Sequence, residues 1–531
     1  MKDGGGNAGR VAARQLAAAA SALFMVGFVA RVWPFFDGAL RFLERFPTED
    51  GYFMLSIGRN LALGKGFTTA DGTIATNGTQ PLTTFLWGLL FWLTGGDRAG
   101  GVALVLLFEI AISALAARAL YRFGSHLLAG RSYAHAVSLL AAALWFASPL
   151  TLPHTMNCLE TGTYGLCVIW CAHAFVKLCE LPSERFETSH VLRFGALLGL
   201  TFWARNDAVF LITASCVCYL APSLRERTSL RLRFTRTLAF GAVSVVIALP
   251  WLLYNYVGFG SIMPISGRAE RLTGSTGDNV YTALTTLAEY TTLVLPIPQS
   301  LQDSLGFAAL AALVLIGEAV LLGRLYQRAN AAQRTLILCV VWFGTMLSIY
   351  YGVFFGAKWF VQRYLFPLSP FFALLFVLLL YGARDWSKSA HRETALSLVT
   401  SLLIAICIAA NTRNQILNRD HPHFQVVRWV QKHVPEHEWI GGIQTGTLGF
   451  FHDRTLNFDG KVNPSAYQAA IEQRRPAYVA STRVQYLVDW IGIVTWLRNP
   501  PIHENFEVVV SDLPNNLGVL VRREREVAHH P

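Results

Sequence analysis

Apolar stretches of spanning length recur along this chain, near 13–33, 100–120, 135–152, 161–178, 237–256, 306–323, 335–355, 364–381 and 395–410. In a bilayer every backbone polar group must be satisfied within the protein, so such stretches fold as helices. Charged residues make up only 15% of the sequence against 53% hydrophobic, where a soluble chain carries roughly a quarter charged. With a mean hydropathy of +0.40, the chain reads as an α-helical polytopic membrane protein. The apolar run at 11–33 is long and lacks a convincing small-residue cleavage site, so it reads as a retained first span.

Two regions decide the topology. Residues 81–95 form an apolar segment of about fifteen residues, short of the roughly twenty needed to cross. Its Trp87 and Trp92 suit an interfacial or re-entrant helix. Residues 192–222 are long enough for two short helices broken at Trp203-Ala204-Arg205-Asn206-Asp207. If the first does not cross and the second makes a hairpin, eleven spans result. The basic loops 1–14, 121–135, 179–193, 223–236, 323–334 and 381–392 then share one side. That is the positive-inside arrangement, with the N-terminus cytoplasmic and the C-terminal region outside. The net charge of +11 is spread over these loops, so no nucleic-acid surface is implied.

After residue 410 the composition turns soluble. The reading is two domains: a membrane domain over 1–410, with 34–99 as its first outer loop, and an extracytoplasmic α/β domain over 411–531. Helices are expected at 423–433 and 463–473, and strands at 439–444 and 506–510. Seven of the eight cysteines lie in or at the ends of apolar segments, only Cys158 falls in a loop, and none has metal-ligand spacing.

Under this topology the polar exceptions gather on the outer face: Glu49-Asp50, Asn157-Cys158-Leu159-Glu160, Arg205-Asn206-Asp207, the 254–271 stretch, and Lys358 to Arg363. Carboxylates at bilayer depth are costly, which makes the Glu49-Asp50 pair a functional candidate. A solvated turn ahead of an amphipathic helix is the ordinary alternative. Glycosyl transfer from a lipid phosphate needs a base for the acceptor hydroxyl and cations for the departing phosphate. Glu49 and Asp50 supply the carboxylates; Arg205, Arg268, Lys358 and Arg363 are the outward cations. Each has a plainer reading. Arg205 and Asp207 can pair at the helix break, Lys358 and Arg363 can anchor at headgroups, and Glu160 can be a favourable charge at a helix start. His154 has no second ligand at metal spacing, and Gly64-Lys65-Gly66 is a helix stop, too short for a nucleotide loop.

The first outer loop reads Glu49-Asp50-Gly51-Tyr52-Phe53, then Arg59-Asn60-Leu61, Gly64-Lys65-Gly66 and Gln80-Pro81-Leu82. Further on come Asn157-Cys158-Leu159-Glu160-Thr161, Arg205-Asn206-Asp207, Tyr254-Asn255-Tyr256-Val257-Gly258-Phe259-Gly260 with Pro264, Arg363-Tyr364-Leu365-Phe366-Pro367, and Asn457-Phe458-Asp459-Gly460-Lys461-Val462-Asn463-Pro464. In order and in common side these resemble the GT-C superfamily of polytopic glycosyltransferases using polyprenyl-phosphate sugars. The likeness is moderate over the first 370 residues and weaker in the tail. Two departures stand out: the first acidic position, usually Asp, is Glu49, and the Arg-Asn-Asp break lacks the family's proline.

The resemblance implies a GT-C-like fold and an inverting hexosyl- or pentosyltransferase. Its donor is a polyprenyl-phosphate sugar, its acceptor a glycan, lipid or protein, at the outer face of a bacterial plasma membrane. Asp50 or Glu49 is then the catalytic base, with the choice open. Arg363, Arg205, Lys358, Asp207, Glu160, Tyr364 and Arg268 would bind donor phosphate or substrate. A carboxylate–phosphate site leaves room for Mg²⁺, Mn²⁺ or Ca²⁺, although no ligand cluster demands one. The competing readings are a flippase of lipid-linked sugars, disfavoured by the absence of an evident internal repeat, and a ligase moving whole oligosaccharides.

Overall fold

Eleven membrane-domain helices follow the hydropathy pattern: Gly4–Val32, Arg98–Leu127, Ala134–Ala147, Thr161–Glu180, Thr188–Ala204, Ala208–Leu220, Leu230–Phe259, Leu305–Arg328, Ala331–Ile349, Ser369–Trp386 and His391–Asn411. The computed structural model describes residues 4–523 apart from 39, 132, 183–186, 222–229, 273, 303, 387–390 and 418–420. Among the described residues, eight segments are long and apolar enough to cross a membrane, with Ala134–Ala147 and Ala208–Leu220 as shorter apolar helices. The chain is a multi-pass membrane protein. The expected break in the 192–222 region falls at Arg205-Asn206-Asp207, between Thr188–Ala204 and Ala208–Leu220. The basic loops expected within 1–14, 179–193, 223–236 and 381–392 lie partly outside the described residues.

The parity of these helices sorts the connections to two ends of the bundle. At one end His126 meets Glu180 at 2.8 Å, and Gln333 donates to the Leu127 carbonyl. At the other, the loops holding Asp50, Glu160, Arg205, Glu270 and Arg363 converge. The His154–Glu160 connection there is braced from within the bundle. Arg31, fully buried in the first span, donates to the Phe146 carbonyl at 2.8 Å and to Thr155 Oγ1 at 2.9 Å. Cys158 adopts a left-handed φ of 59°, a conformation that a residue with a Cβ holds only when its neighbours enforce it. Glu109 accepts its N–H at 3.2 Å, and Trp87 Nε1 donates to its carbonyl at 2.9 Å.

Between the first two spans lie the helices Glu49–Ala62 and Pro81–Leu93, joined through a short hairpin of β1 (Thr68–Thr69) and β2 (Ile74–Ala75). The expectation for Trp87 needs correcting. It is wholly buried between protein segments, whereas Trp92 is 65% exposed. Of the two, only Trp92 stands at the molecular surface. The position of Pro81–Leu93 follows from its flanks. Before it, Gly78 is pressed so closely on the Lys461 carbonyl that a Cβ would come within 2.1 Å. After it, Arg98 donates to the Phe450 carbonyl at 2.7 Å and pairs with Asp453 at 2.9 Å. One small domain touches both flanks, so this helix does not carry the chain to the far end of the bundle.

That domain is a five-stranded sheet with helices, in strand order β4-β3-β5-β7-β6. Strand β3 (Ile440–Gly442) runs parallel to β4 (Thr455–Asn457) and β5 (Tyr486–Asp489), while β7 (Leu517–Arg522) is antiparallel to β5 and to β6 (Phe506–Asp512). The expected helices appear at Phe424–His433 and Pro464–Ile471. Its aromatic edge packs on the first loop, where Phe450 and Phe451 lie 5.1 and 5.6 Å from the Tyr52 ring. Reporters fused after residues 70 and 97 are expected in the same compartment, scored by paired enzymatic fusions; opposite compartments would contradict this placement.

Candidate active site

Adjacent residues on a helix project about 100° apart, so the two carboxylates that open Glu49–Ala62 cannot face the same partners. The helix starts where Thr48 accepts the Gly51 N–H at 3.1 Å, and both acids sit in its positively polarised first turn. Glu49 turns into the sheet domain. It accepts from the Gly446 N–H, from the Thr447 N–H at 3.0 Å and from Thr447 Oγ1 at 2.6 Å. Burial pushes its carboxyl above the ordinary value although these donors pull the other way. Gly446 is needed for this approach, because a Cβ there would lie 1.9 Å from the Glu49 carbonyl oxygen. His423 stands 3.6 Å from Glu49 and stacks on Trp490 at 4.4 Å. Burial lowers the His423 pKa to about 4, so at neutral pH this ring brings no charge to Glu49.

Asp50 turns into the bundle. Arg363 donates to its Oδ2 at 2.9 Å, and the Lys461 ammonium lies 3.5 Å from Oδ1. Burial would raise the Asp50 carboxyl, but Lys461 and Arg363 outweigh it and hold it below the ordinary value. Lys461 also meets Glu270, on the helix Ile265–Arg271, at 2.5 Å. Phe360 lies beneath both cations, its ring centre 4.8 Å from the Arg363 guanidinium and 5.0 Å from Lys461 Nζ. Tyr364 completes this layer, its hydroxyl accepting from Arg363 at 3.3 Å.

Behind Arg363 lies a closed group. Arg205 is 2% exposed and sits 3.1 Å from Asp207 and 3.7 Å from Glu160. It donates to the Arg363 carbonyl at 3.2 Å and lies over the Tyr364 ring at 4.6 Å. A π-helical turn, Tyr350–Phe354, ends the Ala331–Ile349 helix and aims Tyr351 at Asp207 (2.8 Å) while stacking it on Tyr364 at 4.2 Å. Two carboxylates neutralise this guanidinium and three tyrosine rings enclose it, so it supports Arg363 from behind.

The sequence candidates therefore divide. Arg363 touches both Asp50 and Tyr364; Arg205, Asp207 and Glu160 form the support; Glu49 ties in the sheet domain. Arg268 lies instead over Tyr467 at 4.8 Å. Lys358 lines a separate cavity of about 280 Å³ with His154, Glu289, Gln302, Trp359 and Gln362. Neither is brought to Asp50. Sequence reasoning missed Lys461 and Glu270. Lys461 lies inside the Asp459-Gly460-Lys461-Val462-Asn463 stretch that carried the family likeness, but a lysine in a soluble segment shows no sign of which loop it will meet. Among the described residues, no three His, Cys, Asp or Glu side chains gather as a metal-ligand group.

A family model described as a domain of unknown function (DUF8728) matches residues 410–527. No curated protein matches the sequence. Solved structures do match in shape. ArnT from Cupriavidus metallidurans, bound to undecaprenyl phosphate, superposes with a TM-score of 0.60 at 12% identity, covering 96% of this chain and 98% of that one. The chain has the GT-C fold. The oligosaccharyltransferase AglB from Archaeoglobus fulgidus, in complex with an inhibitory peptide and a dolichol-phosphate, matches at 0.54 and 10% identity, over 97% of this chain and 75% of that one. A crystal structure of an Archaeoglobus fulgidus oligosaccharyltransferase in complex with Zn and sulfate matches at 0.53 and 12% identity, over 90% of this chain and 68% of that one.

Glu49 joins the membrane helices to the sheet domain. Glu49→Ala is expected to raise amide hydrogen exchange at 446–451 by about tenfold, the equivalent of about 1.4 kcal/mol of lost docking. Asp50→Asn, which loses only the longer Lys461 contact, should raise that exchange by less than Glu49→Ala, as read by exchange mass spectrometry.

Proposed function

We propose that the protein is an inverting glycosyltransferase that moves a sugar from a polyprenyl-phosphate donor to a hydroxyl of a glycan, lipid or protein acceptor. The site faces the outer side of a bacterial plasma membrane, with the N-terminus cytoplasmic and residues 411–531 as the extracytoplasmic domain. The observation that carries this reading is the carboxylate Asp50 held between two cations, Arg363 and Lys461, at one end of a membrane bundle. The shared fold with ArnT and AglB, crystallised with polyprenyl-type phosphates, supports it.

Asp50 is the base in this reading. Glu49 already accepts two backbone N–H groups and one hydroxyl, and so is the poorer acceptor for a substrate proton. The acceptor O–H gives its proton to Asp50 as its oxygen bonds to the anomeric carbon from the face opposite the phosphate. The bond from that carbon to the phosphate oxygen breaks, and its electron pair leaves on the polyprenyl phosphate. One displacement inverts the anomeric configuration. Arg363 receives the growing negative charge, with Tyr364 orienting it and Arg205 holding its backbone.

In the resting site Asp50 is a weak base because its cations stabilise the charged form. An arriving phosphate competes for the same cations, so donor binding itself makes Asp50 more basic. Asp50→Asn is expected to lower kcat by about 10²–10⁴-fold, the range of a lost general base. Glu49→Gln should retain most of the chemical step, measured as transfer from a synthetic polyprenyl-phosphate sugar. Full activity in Asp50→Asn would overturn the assignment. Removing a cation raises the pKa of the carboxyl it stabilised. Arg363→Gln should therefore move the acidic limb of the kcat/KM profile to higher pH while raising KM.

A further inference from the structure

Two carboxylates from separate helices, Asp50 and Glu270, converge on one point, and the point is taken by the Lys461 ammonium, 3.5 Å from Asp50 Oδ1 and 2.5 Å from Glu270 Oε1. A pair of carboxylates brought together in this way is the usual beginning of a divalent-cation site, where oxygens stand about 2.0–2.6 Å from the ion. The fold raises that expectation, since one of its members was crystallised with Zn. The residues present do not fit a metal. Arg363 and Lys461 already supply two positive charges against the two carboxylates. A further +2 charge would enter a group in which every side chain is less than a fifth exposed, where repulsion is poorly screened.

Lys461 is placed by a built turn rather than by a wandering surface side chain. Gly460 has a left-handed φ of 96°, its N–H bonds Asn457 Oδ1 at 3.0 Å, and a Cβ on it would meet Tyr467. The Lys461 N–H is capped by Asp459 at 2.7 Å, while its carbonyl rests on Gly78 of the first loop. Both sides of the lysine backbone are thereby fixed, and its ammonium lies over the same Phe360 ring as the Arg363 guanidinium. Burial works against its charge, but Asp50, Asp459 and Glu270 together raise its pKa, so it stays protonated.

We propose that Lys461 is the resident cation of this site, standing where a divalent metal would bridge Asp50 and Glu270. With Arg363 it binds the phosphate leaving group, so the C-terminal domain contributes a substrate-binding residue and transfer proceeds without a divalent ion. The phosphate role rests on the glycosyltransferase reading; the exclusion of metal from the Asp50–Glu270 gap does not.

The decisive experiment titrates Mn²⁺ alone into the purified full-length protein and reads bound ion by electron paramagnetic resonance. Wild type should bind no Mn²⁺ that Asp50→Asn removes. Lys461→Met keeps the stem over Phe360 and removes the charge, and should gain one Mn²⁺ that is lost again when Glu270→Gln is added. A wild-type Mn²⁺ site sensitive to Asp50→Asn would overturn the proposal, as would a folded Lys461→Met protein that gains none. Lys461→Gln serves as the second variant, and the wild-type arm decides alone if neither folds by size exclusion. In the transfer assay wild type should keep full rate in EDTA while Lys461→Met loses about 10²-fold. Chelator-sensitive wild-type transfer sinks the resident-cation proposal and leaves the glycosyltransferase reading intact. No transfer under any condition sinks that reading, while the Mn²⁺ titration still decides the cation.

Discussion

One end of this molecule is organised by one helix start. Glu49 and Asp50 are neighbours in sequence, and the helical turn sends them in different directions, one into the sheet domain and one into the membrane bundle. Burying two carboxylates side by side is unfavourable unless each finds partners of its own. Each does, and the partners come from distant segments: Gly446 and Thr447 for one, Arg363 and Lys461 for the other. The pair therefore acts as a joint, and any displacement of the sheet domain is felt at Asp50 through Lys461.

A joint of this kind needs a rigid seat. The seat is a chain of buried polar contacts rather than the apolar packing that holds the bundle. Arg31 and Glu109 are charged side chains in spanning helices, an arrangement that membranes tolerate only when the groups turn inward and are bonded. Both hydrogen-bond to the 146–158 segment, and Trp87 holds the strained Cys158 from the other side. The carbonyl of the adjacent Asn157 accepts the Thr48 N–H at 3.4 Å, and Gly51 packs against it so closely that a Cβ would come within 2.1 Å. The position of the Asp50 helix is thus set from inside the membrane domain.

The two arginines most prominent in the sequence take unlike parts for electrostatic reasons. Arg205 has two carboxylate neighbours and a cage of tyrosines, which leaves it no net charge to offer. Arg363 pairs with Asp50, and Lys461 with Asp50 and Glu270, so an arriving anion engages these cations by competing with the carboxylates that already hold them. The π-helical turn at Tyr350–Phe354 links the two groups by setting Tyr351 between Asp207 and Tyr364. Such turns insert one residue into a helix and redirect a side chain that a regular helix would aim elsewhere.

The hydropathy pattern determined the helical membrane fold, the break at Arg205-Asn206-Asp207 and two strands and two helices of the tail, because burial in lipid or in a sheet imposes a period on local sequence, and the shortness of 81–95 with the placement of the basic loops marked that segment as non-crossing. The cost of charge beside a bilayer also made Asp50 and Arg363 conspicuous, while Tyr364 stood out only through the Arg363-Tyr364-Leu365-Phe366-Pro367 stretch of the family resemblance. The sequence could not separate Glu49 from Asp50, assign Arg205 to support, or find Lys461 and Glu270. Those depend on which loops meet, and contacts between residues hundreds of positions apart leave no periodic trace. Trp87 shows the same limit: its spacing suited a membrane interface, and only the docking of the sheet domain and the 158 loop made it core. The hydropathy pattern told which residues carry charge where charge is expensive; only the tertiary structure decided which charges face one another.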